Sequence, residues 1–148
     1  MTRNSNFIVV IPARFGSKRL PGKPLKKILG VPMIIRTCMQ CLKVVKKTQL
    51  IVATDDRRIQ KCCEKYSINS ILTSKKCKTG TDRVAEVAKK IKVKNYINVQ
   101  GDEPIFNPTD LKNMIKLVKK NKDKILLGYT KIENKTNIKS RNIPKVVF

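Results

Sequence analysis

Residues 8–25 read IVVIPARFGSKRLPGKPL, and the change of chemistry part-way through this stretch decides the fold. Phe7 to Ile11 is a continuous apolar run that stops at Pro12, the pattern of a short strand buried on both faces. The segment after it carries Arg14, Lys18, Arg19 and Lys23 together with Ser17, Gly16 and Gly22. A loop of this kind can wrap a triphosphate: glycine lets the backbone approach, its N–H groups donate, and the cations offset charge. It is not a Walker A loop. Gly16 and Gly22 stand one residue too far apart, and Pro24 occupies the place of the magnesium-binding hydroxyl.

Outward from this stretch, strand and helix patterns alternate. From Pro32 the apolar positions Ile34, Cys38, Cys41, Leu42 and Val45 keep helical spacing, with Pro32 suited to a first turn. Leu50–Ala53 reads as a second buried strand, closed by Thr54, Asp55 and Asp56. These acidic residues fit a helix cap or a functional role equally well. Arg57–Lys65 then reads as a helix and Ser70–Thr73 as a brief strand. A third helix is marked by Val84, Val87, Ala88 and Ile91, with Thr79 or Thr81 as its cap and Asp82 complementing its dipole. Tyr96–Val99 is strand-like and ends in the polar turn Gln100–Pro104. Asn107 and Pro108 open a fourth helix on Leu111, Met114, Ile115 and Val118. Ile125–Tyr129 has a strand pattern, and Lys145–Phe148 begins another.

The alternation predicts an α/β fold, a mostly parallel sheet with helices on both faces. Ligands bind such sheets beyond the carboxyl ends of the strands. The basic loop and the turn after Val99 both fall on that edge, so they are expected to share one cleft.

Composition narrows the function classes. At 148 residues with 41% hydrophobic residues the chain is long enough for one domain with its own core. The apolar run near the N-terminus is too short for a signal peptide or a membrane span, and a soluble protein of the cytoplasm is expected. The formal net charge of +24 suggests nucleic-acid binding at first sight. The lysines are spread along the chain, however, and Lys46, Lys47, Lys89, Lys90, Lys119 and Lys120 fall on water-facing helix positions. The solvated-face reading is preferred. Cys38, Cys41, Cys62, Cys63 and Cys77 have no histidine to help them bind a metal, and the C-x-x-C pair lies mid-helix. Buried reduced thiols without chemistry are expected.

Four ordered segments resemble the 3-deoxy-manno-octulosonate (Kdo) cytidylyltransferases. They are IVVIPARFGSKRLPGKPL at 8–25, IVATDDRRI at 51–59, KTGTDRVAEV at 78–87 and YINVQGDEPIFNP at 96–108. The third matches the family's S-G-T-E-R-x-A-E-V segment with Thr79 for Ser and Asp82 for Glu. The sialic-acid cytidylyltransferases share the opening but usually lack P-G-K-P and the V-Q-G-D-E-P turn.

The resemblance implies a Rossmann-like nucleotidyltransferase fold, with residues 1–148 forming the nucleotide-binding part of a cytidylyltransferase domain. It implies CTP and Kdo as substrates, Mg2+ as cofactor, lipopolysaccharide biosynthesis as the setting and homodimers as the assembly. It also implies roles. Arg14, Ser17, Arg19 and Lys23 hold the CTP phosphates. Pro12 and Ala13, with Thr79, Gly80, Thr81 and Gln100, frame cytosine and ribose. Arg83 lies near the nucleotide, and Asp102 coordinates magnesium. Arg14, Lys23 and Asp102 are the expected catalytic set, while Asp82 and Glu86 are left as helix N-terminal and surface charges.

Read without the resemblance, Asp102 is a turn-former about as often as a ligand. No general base stands out. The family's chains continue beyond the position matching Phe148, with most sugar contacts, a second magnesium-binding aspartate and much of the dimer contact in that part. The expectation for this chain alone is weak nucleotide binding and little or no sugar transfer. A cytidylyltransferase for another acidic sugar such as sialic acid, a non-catalytic nucleotide-binding remnant and a nucleic-acid-binding protein are the alternatives.

Overall fold

A computed structural model describes residues 6–17, 20–121, 124–132 and 139–140. Its centre is a four-stranded parallel sheet of β1 (Phe7–Ala13), β4 (Leu50–Thr54), β5 (Ser70–Leu72) and β6 (Asn95–Asn98), in the order β5-β4-β1-β6. A small antiparallel hairpin, β2 (Lys27–Ile28) and β3 (Val31–Pro32), lies outside it. The helices are α1 (Met33–Leu42), α2 (Arg57–Lys65), α3 (Gly80–Lys90) and α4 (Pro108–Lys120).

Every residue of β1 is buried, and its side chains alternate between two cores as a period of two requires. Phe7, Val9, Ile11 and Ala13 meet Ile34, Ile35 and Cys38 of α1, Ile59 and Cys63 of α2 and Leu111 of α4. Ile8 and Val10 face the other way, with Ile51, Ala53 and Val87 of α3. Each such aliphatic side chain contributes about 1.5–3 kcal/mol by leaving water. Helices therefore cover both faces, as the sequence predicts.

From β1 the chain moves outward to β4 and β5, then returns across the sheet to β6 on the far side of β1. Right-handed crossovers put connections running in opposite directions on opposite faces, which is why α3, alone among the described helices, occupies the second face. The reversal creates a switch point at the carboxyl end of β1.

Pro12 shapes that point. Pairing of β1 with β6 ends at Val10↔Asn98, with Val99 N–H donating to the Val10 carbonyl. Two residues on, Pro12 has no N–H to continue this ladder. β1 itself runs past Pro12, contrary to the expectation that it stops there, because Pro12 and Ala13 still pair with Ala53 and Thr54 on the other side. The chain after β6 is thus free to peel away.

Helix starts follow local chemistry. Asp56 caps α2, accepting from Arg58 N–H at 2.9 Å. Thr79 and Asp82 form a reciprocal capping box on α3, and Asn107 caps α4 with Pro108 at its first position. α1 has no side-chain cap; Met33 N–H donates to the Lys26 carbonyl instead.

One expected strand is absent. Residues 124–130 form no regular structure, and Leu127 and Tyr129 are 70% and 67% exposed. An apolar pattern becomes a strand only beside a partner strand, and no strand of the described sheets pairs with this segment. The strand expected at Lys145–Phe148 lies outside the described residues. The thiols divide: Cys38, Cys41 and Cys63 are buried as expected, whereas Cys62 and Cys77 are half-buried.

Candidate active site

The switch point carries a cavity of about 290 Å³. Pro12 and Ala13 form its base. Arg14, Ser17, Lys23 and Pro24 of the basic loop make one wall, and Cys77, Lys78, Thr79, Gly80 and Arg83, at and before the start of α3, make the other. Gln100, Gly101 and Asp102 close the end, with Met33 of α1 beneath. Three segments far apart in sequence meet here as the motif reading requires. Of the residues singled out from sequence, Lys18 and Arg19 lie outside the described residues. Thr81 is exposed on the first turn of α3 and is not among those lining the cavity. Pro24, Met33, Cys77, Lys78 and Gly101 line it without having been singled out as nucleotide contacts.

Close backbone approach holds the walls. A Cβ on Gly101 would lie 2.8 Å from the Pro12 carbonyl oxygen and 3.2 Å from Ile34 Cδ1. Among the described glycines only Gly22 and Gly30 have positive φ, so Gly101 serves proximity and not the conformational freedom its turn suggests. The buried Thr37 hydroxyl donates to the Gly101 carbonyl at 3.2 Å. On the opposite wall, a Cβ on Gly80 would meet the Pro12 ring at 3.1 Å.

Charge converges across the cleft. Lys23 Nζ lies 2.6 Å from Asp102 Oδ2, with the two side chains 37% and 50% exposed. The pair is wet enough to exchange partners. Asp82 accepts from the N–H groups of Thr79 and Lys78, and these backbone bonds hold its carboxyl below the usual range. Asp82 is therefore the helix N-terminal charge expected of it. Glu86 differs from expectation: it is not merely a surface charge but accepts from Ser74 N–H at 2.8 Å and the Cys77 thiol at 3.2 Å. Desolvation, then the hydrogen bond to Glu86, raises the Cys77 pKa.

Behind the cleft lies a pair that the sequence did not resolve. Asp55 is not a cap. Its Oδ2 accepts from Arg83 Nη2 at 2.7 Å and its Oδ1 from Phe15 N–H at 3.2 Å. Arg83 is almost wholly buried and also donates to Thr73 Oγ1 and the Ser74 carbonyl.

Residues 8–148 match a family model described as cytidylyltransferase. The chain belongs to the cytidylyltransferase family. It is 42% identical over 111 residues to the 3-deoxy-manno-octulosonate cytidylyltransferase of Escherichia coli, covering 75% of this chain and 45% of that protein. It is 39% identical over 149 residues to an 8-amino-3,8-dideoxy-manno-octulosonate cytidylyltransferase of Shewanella sp. (strain W3-18-1), covering 97% and 60%. Among solved structures, a CMP:2-keto-3-deoxy-manno-octonic acid synthetase complexed with CTP superposes with a TM-score of 0.76 at 39% identity. That match covers 80% of this chain and 49% of the synthetase. This cytidylyltransferase-family chain spans about half the length of the curated relatives it matches.

The donor set of the family chain can be weighed for a metal. Among the described residues no three His, Cys, Asp or Glu side chains gather into a metal cluster, which does not suit zinc. A single half-exposed carboxylate beside cationic residues does suit magnesium, which keeps several waters and takes one or two carboxylates with substrate phosphates. No helix among the described residues is long and apolar enough to cross a membrane.

Proposed function

We propose that this chain carries the CTP site of an enzyme that transfers CMP from CTP to the anomeric hydroxyl of Kdo, releasing pyrophosphate for lipopolysaccharide biosynthesis. The observation that carries the proposal is the Lys23–Asp102 pair, which joins the basic loop to the turn after β6 at the sheet's switch point. The resemblance to Kdo cytidylyltransferases and to a synthetase complexed with CTP supports the same reading.

In the proposed reaction the anomeric oxygen bonds to the α-phosphorus. The bond from that phosphorus to the bridging oxygen breaks, and pyrophosphate leaves with it. Arg14, Ser17 and Lys23 bind the phosphates, with Arg19 continuing the same basic loop. Their fixed charge counters what builds on the non-bridging and leaving oxygens, the dominant form of help for such transfers. Pro12, Ala13, Thr79, Gly80 and Gln100 bound the base and ribose, beside Thr81 on the first turn of α3. Asp102 would hold a magnesium ion that supplies Lewis-acid charge at the phosphate oxygens. In holding the ion Asp102 would release Lys23, whose ammonium would then be free to bind phosphate. Asp102 is the only carboxylate among the described residues lining the cleft, and the chain has no histidine. No described residue lining the cleft stands out as a general base.

The test is pyrophosphate release from CTP and magnesium with Kdo present, beside calorimetric titration with CTP, UTP and ATP. Selective binding of CTP that is lost in Asp102→Ala supports the site; no binding of CTP by the folded chain sinks it. The 8-amino-3,8-dideoxy sugar is the second candidate acceptor, because a relative of that name aligns along 97% of this chain. Release with that sugar and not with Kdo would reassign the acceptor while leaving the nucleotide site intact.

A further inference from the structure

We propose that Asp55 is a positioning residue that fixes the distance between the two walls of the nucleotide cleft, an inference that rests on the CTP-site reading above. Its carboxylate faces two ways. One oxygen accepts from the Phe15 N–H of the basic loop, and the other from the Arg83 guanidinium of α3. Asp55 is not among the residues lining the cleft, and the simpler role of capping α2 belongs to its neighbour Asp56.

The loop is pinned at the residue that Asp55 grips. The Phe15 carbonyl accepts from Gly22 N–H at 3.0 Å, which closes the loop on itself. The Phe15 ring lies under the Arg58 guanidinium at 3.4 Å and against Gly22, where a Cβ would come within 3.1 Å of it. Arg14 precedes Phe15 directly and Lys23 follows Gly22, so both cations hang from this anchor. On the other wall Arg83 is tied to Thr73 and Ser74 and sits one turn into the helix that Gly80 begins. The side chains of Asp55 and Arg83 are only 16% and 3% exposed, so water does not replace a lost contact cheaply. A carboxylate is needed because both of its oxygens accept. Asparagine has one acceptor and can serve Phe15 or Arg83 but not both.

The experiment titrates the wild-type chain, Asp55→Asn, Arg14→Ala and the double variant with magnesium-CTP, at a temperature where circular dichroism shows each folded. Asn107→Ala, which removes the cap of α4 away from the cleft, serves as a destabilised control. Loosening the loop is expected to weaken CTP binding about tenfold, a part of the roughly hundredfold cost of a 1 Å misplacement. The control is expected to bind like wild type. Arg14→Ala should cost less in the Asp55→Asn background than alone, because the arginine is already out of register. Binding by Asp55→Asn equal to wild type, or full additivity with Arg14→Ala, overturns the proposal while the CTP site stands. Failure of the wild-type chain itself to bind CTP removes the site and this inference with it. Should Asp55→Asn not fold, Gly22→Ala disturbs the same Phe15 anchor from its other side, at a backbone φ of 66°. It is expected to give the same weakening and the same non-additivity, and their absence would equally overturn the proposal.

Discussion

Replacing Gly101 by alanine should both destabilise the chain and disable its cleft, for one steric reason. The added Cβ would sit 2.8 Å from the Pro12 carbonyl oxygen, 3.2 Å from Ile34 Cδ1 and 3.4 Å from Ile11 Cγ2. Two of these neighbours belong to β1, the central strand, and the nearest is backbone that cannot rotate away. The turn must therefore withdraw from β1 by roughly 0.6 Å or more to reach ordinary contact, the overpacking that typically costs about 1–3 kcal/mol. For a chain of this size that lowers the melting temperature by about 2–12 °C. The same withdrawal strains the bond from Thr37 to the Gly101 carbonyl and carries Asp102 with it. Displacement on this scale is expected to weaken magnesium-dependent CTP binding about tenfold. Thermal melts followed by calorimetry on the folded variant measure both effects. Gly101→Asn discriminates the cause. Were the glycine needed for a left-handed turn, asparagine would be the better-tolerated replacement. Because the constraint is proximity, asparagine should be at least as damaging as alanine. An alanine variant as stable as wild type, or asparagine tolerated better than alanine, refutes the reasoning.

The Lys23–Asp102 pair is half exposed, so Asp102→Asn should change stability by less than about 1 kcal/mol while abolishing magnesium-dependent CTP binding; a large melting shift would make the residue structural. Asp56 is held down to about 2, first by the side-chain hydrogen bond from Arg58. Its folded pKa lies below its unfolded value of about 3.9, so its contribution is present above about pH 4 and disappears as pH falls through about 2. Acid unfolding of wild type should be steeper than that of Asp56→Asn across that window, and parallel curves would contradict the assignment. Burial pushes the Cys41 and Cys63 thiols up to about 12 and the Cys38 thiol well above its ordinary value. A thiol reagent at pH 8 should therefore modify Cys62 and Cys77 in the native chain, with the other thiols reacting only on unfolding. CTP should protect Cys77, which lines the cleft, and leave Cys62 unchanged; equal protection of both would show that the cleft is not where CTP sits.

What could be read in advance, and what could not, separates by the range of the interaction. The main helices and the buried strands were legible because their signals are local. A continuous run marks β1, and cap residues such as Asn107 and Thr79 stand at fixed offsets from the apolar positions they serve. The convergence of the basic loop and the turn at Gln100 followed from parallel topology alone. The hairpin of β2 and β3 was not legible. Each strand has two residues, and the turn uses Leu29 at φ 47° before Gly30, where the usual signal is Asn-Gly. Ile125–Tyr129 failed in the opposite sense, since a short apolar run says nothing about whether a neighbouring strand exists.

The acidic residues of 51–59 show the limit most sharply. Asp55 and Asp56 are adjacent, chemically identical and equally good caps on paper. They diverge because the fold sets Asp55 against Phe15 of the basic loop and against Arg83, 28 positions along the chain. Asp56 bonds instead to Arg58 of the helix it caps. No periodicity encodes that difference; it exists only once the sheet has brought α3 beside the basic loop. The net charge says little about the cleft for a related reason. Its magnitude counts every solvated lysine, whereas the chemistry depends on the few cations that topology gathers at one sheet edge. A pair such as Asp55–Arg83, buried and long-range, leaves the surface charge almost untouched and still decides where those cations stand.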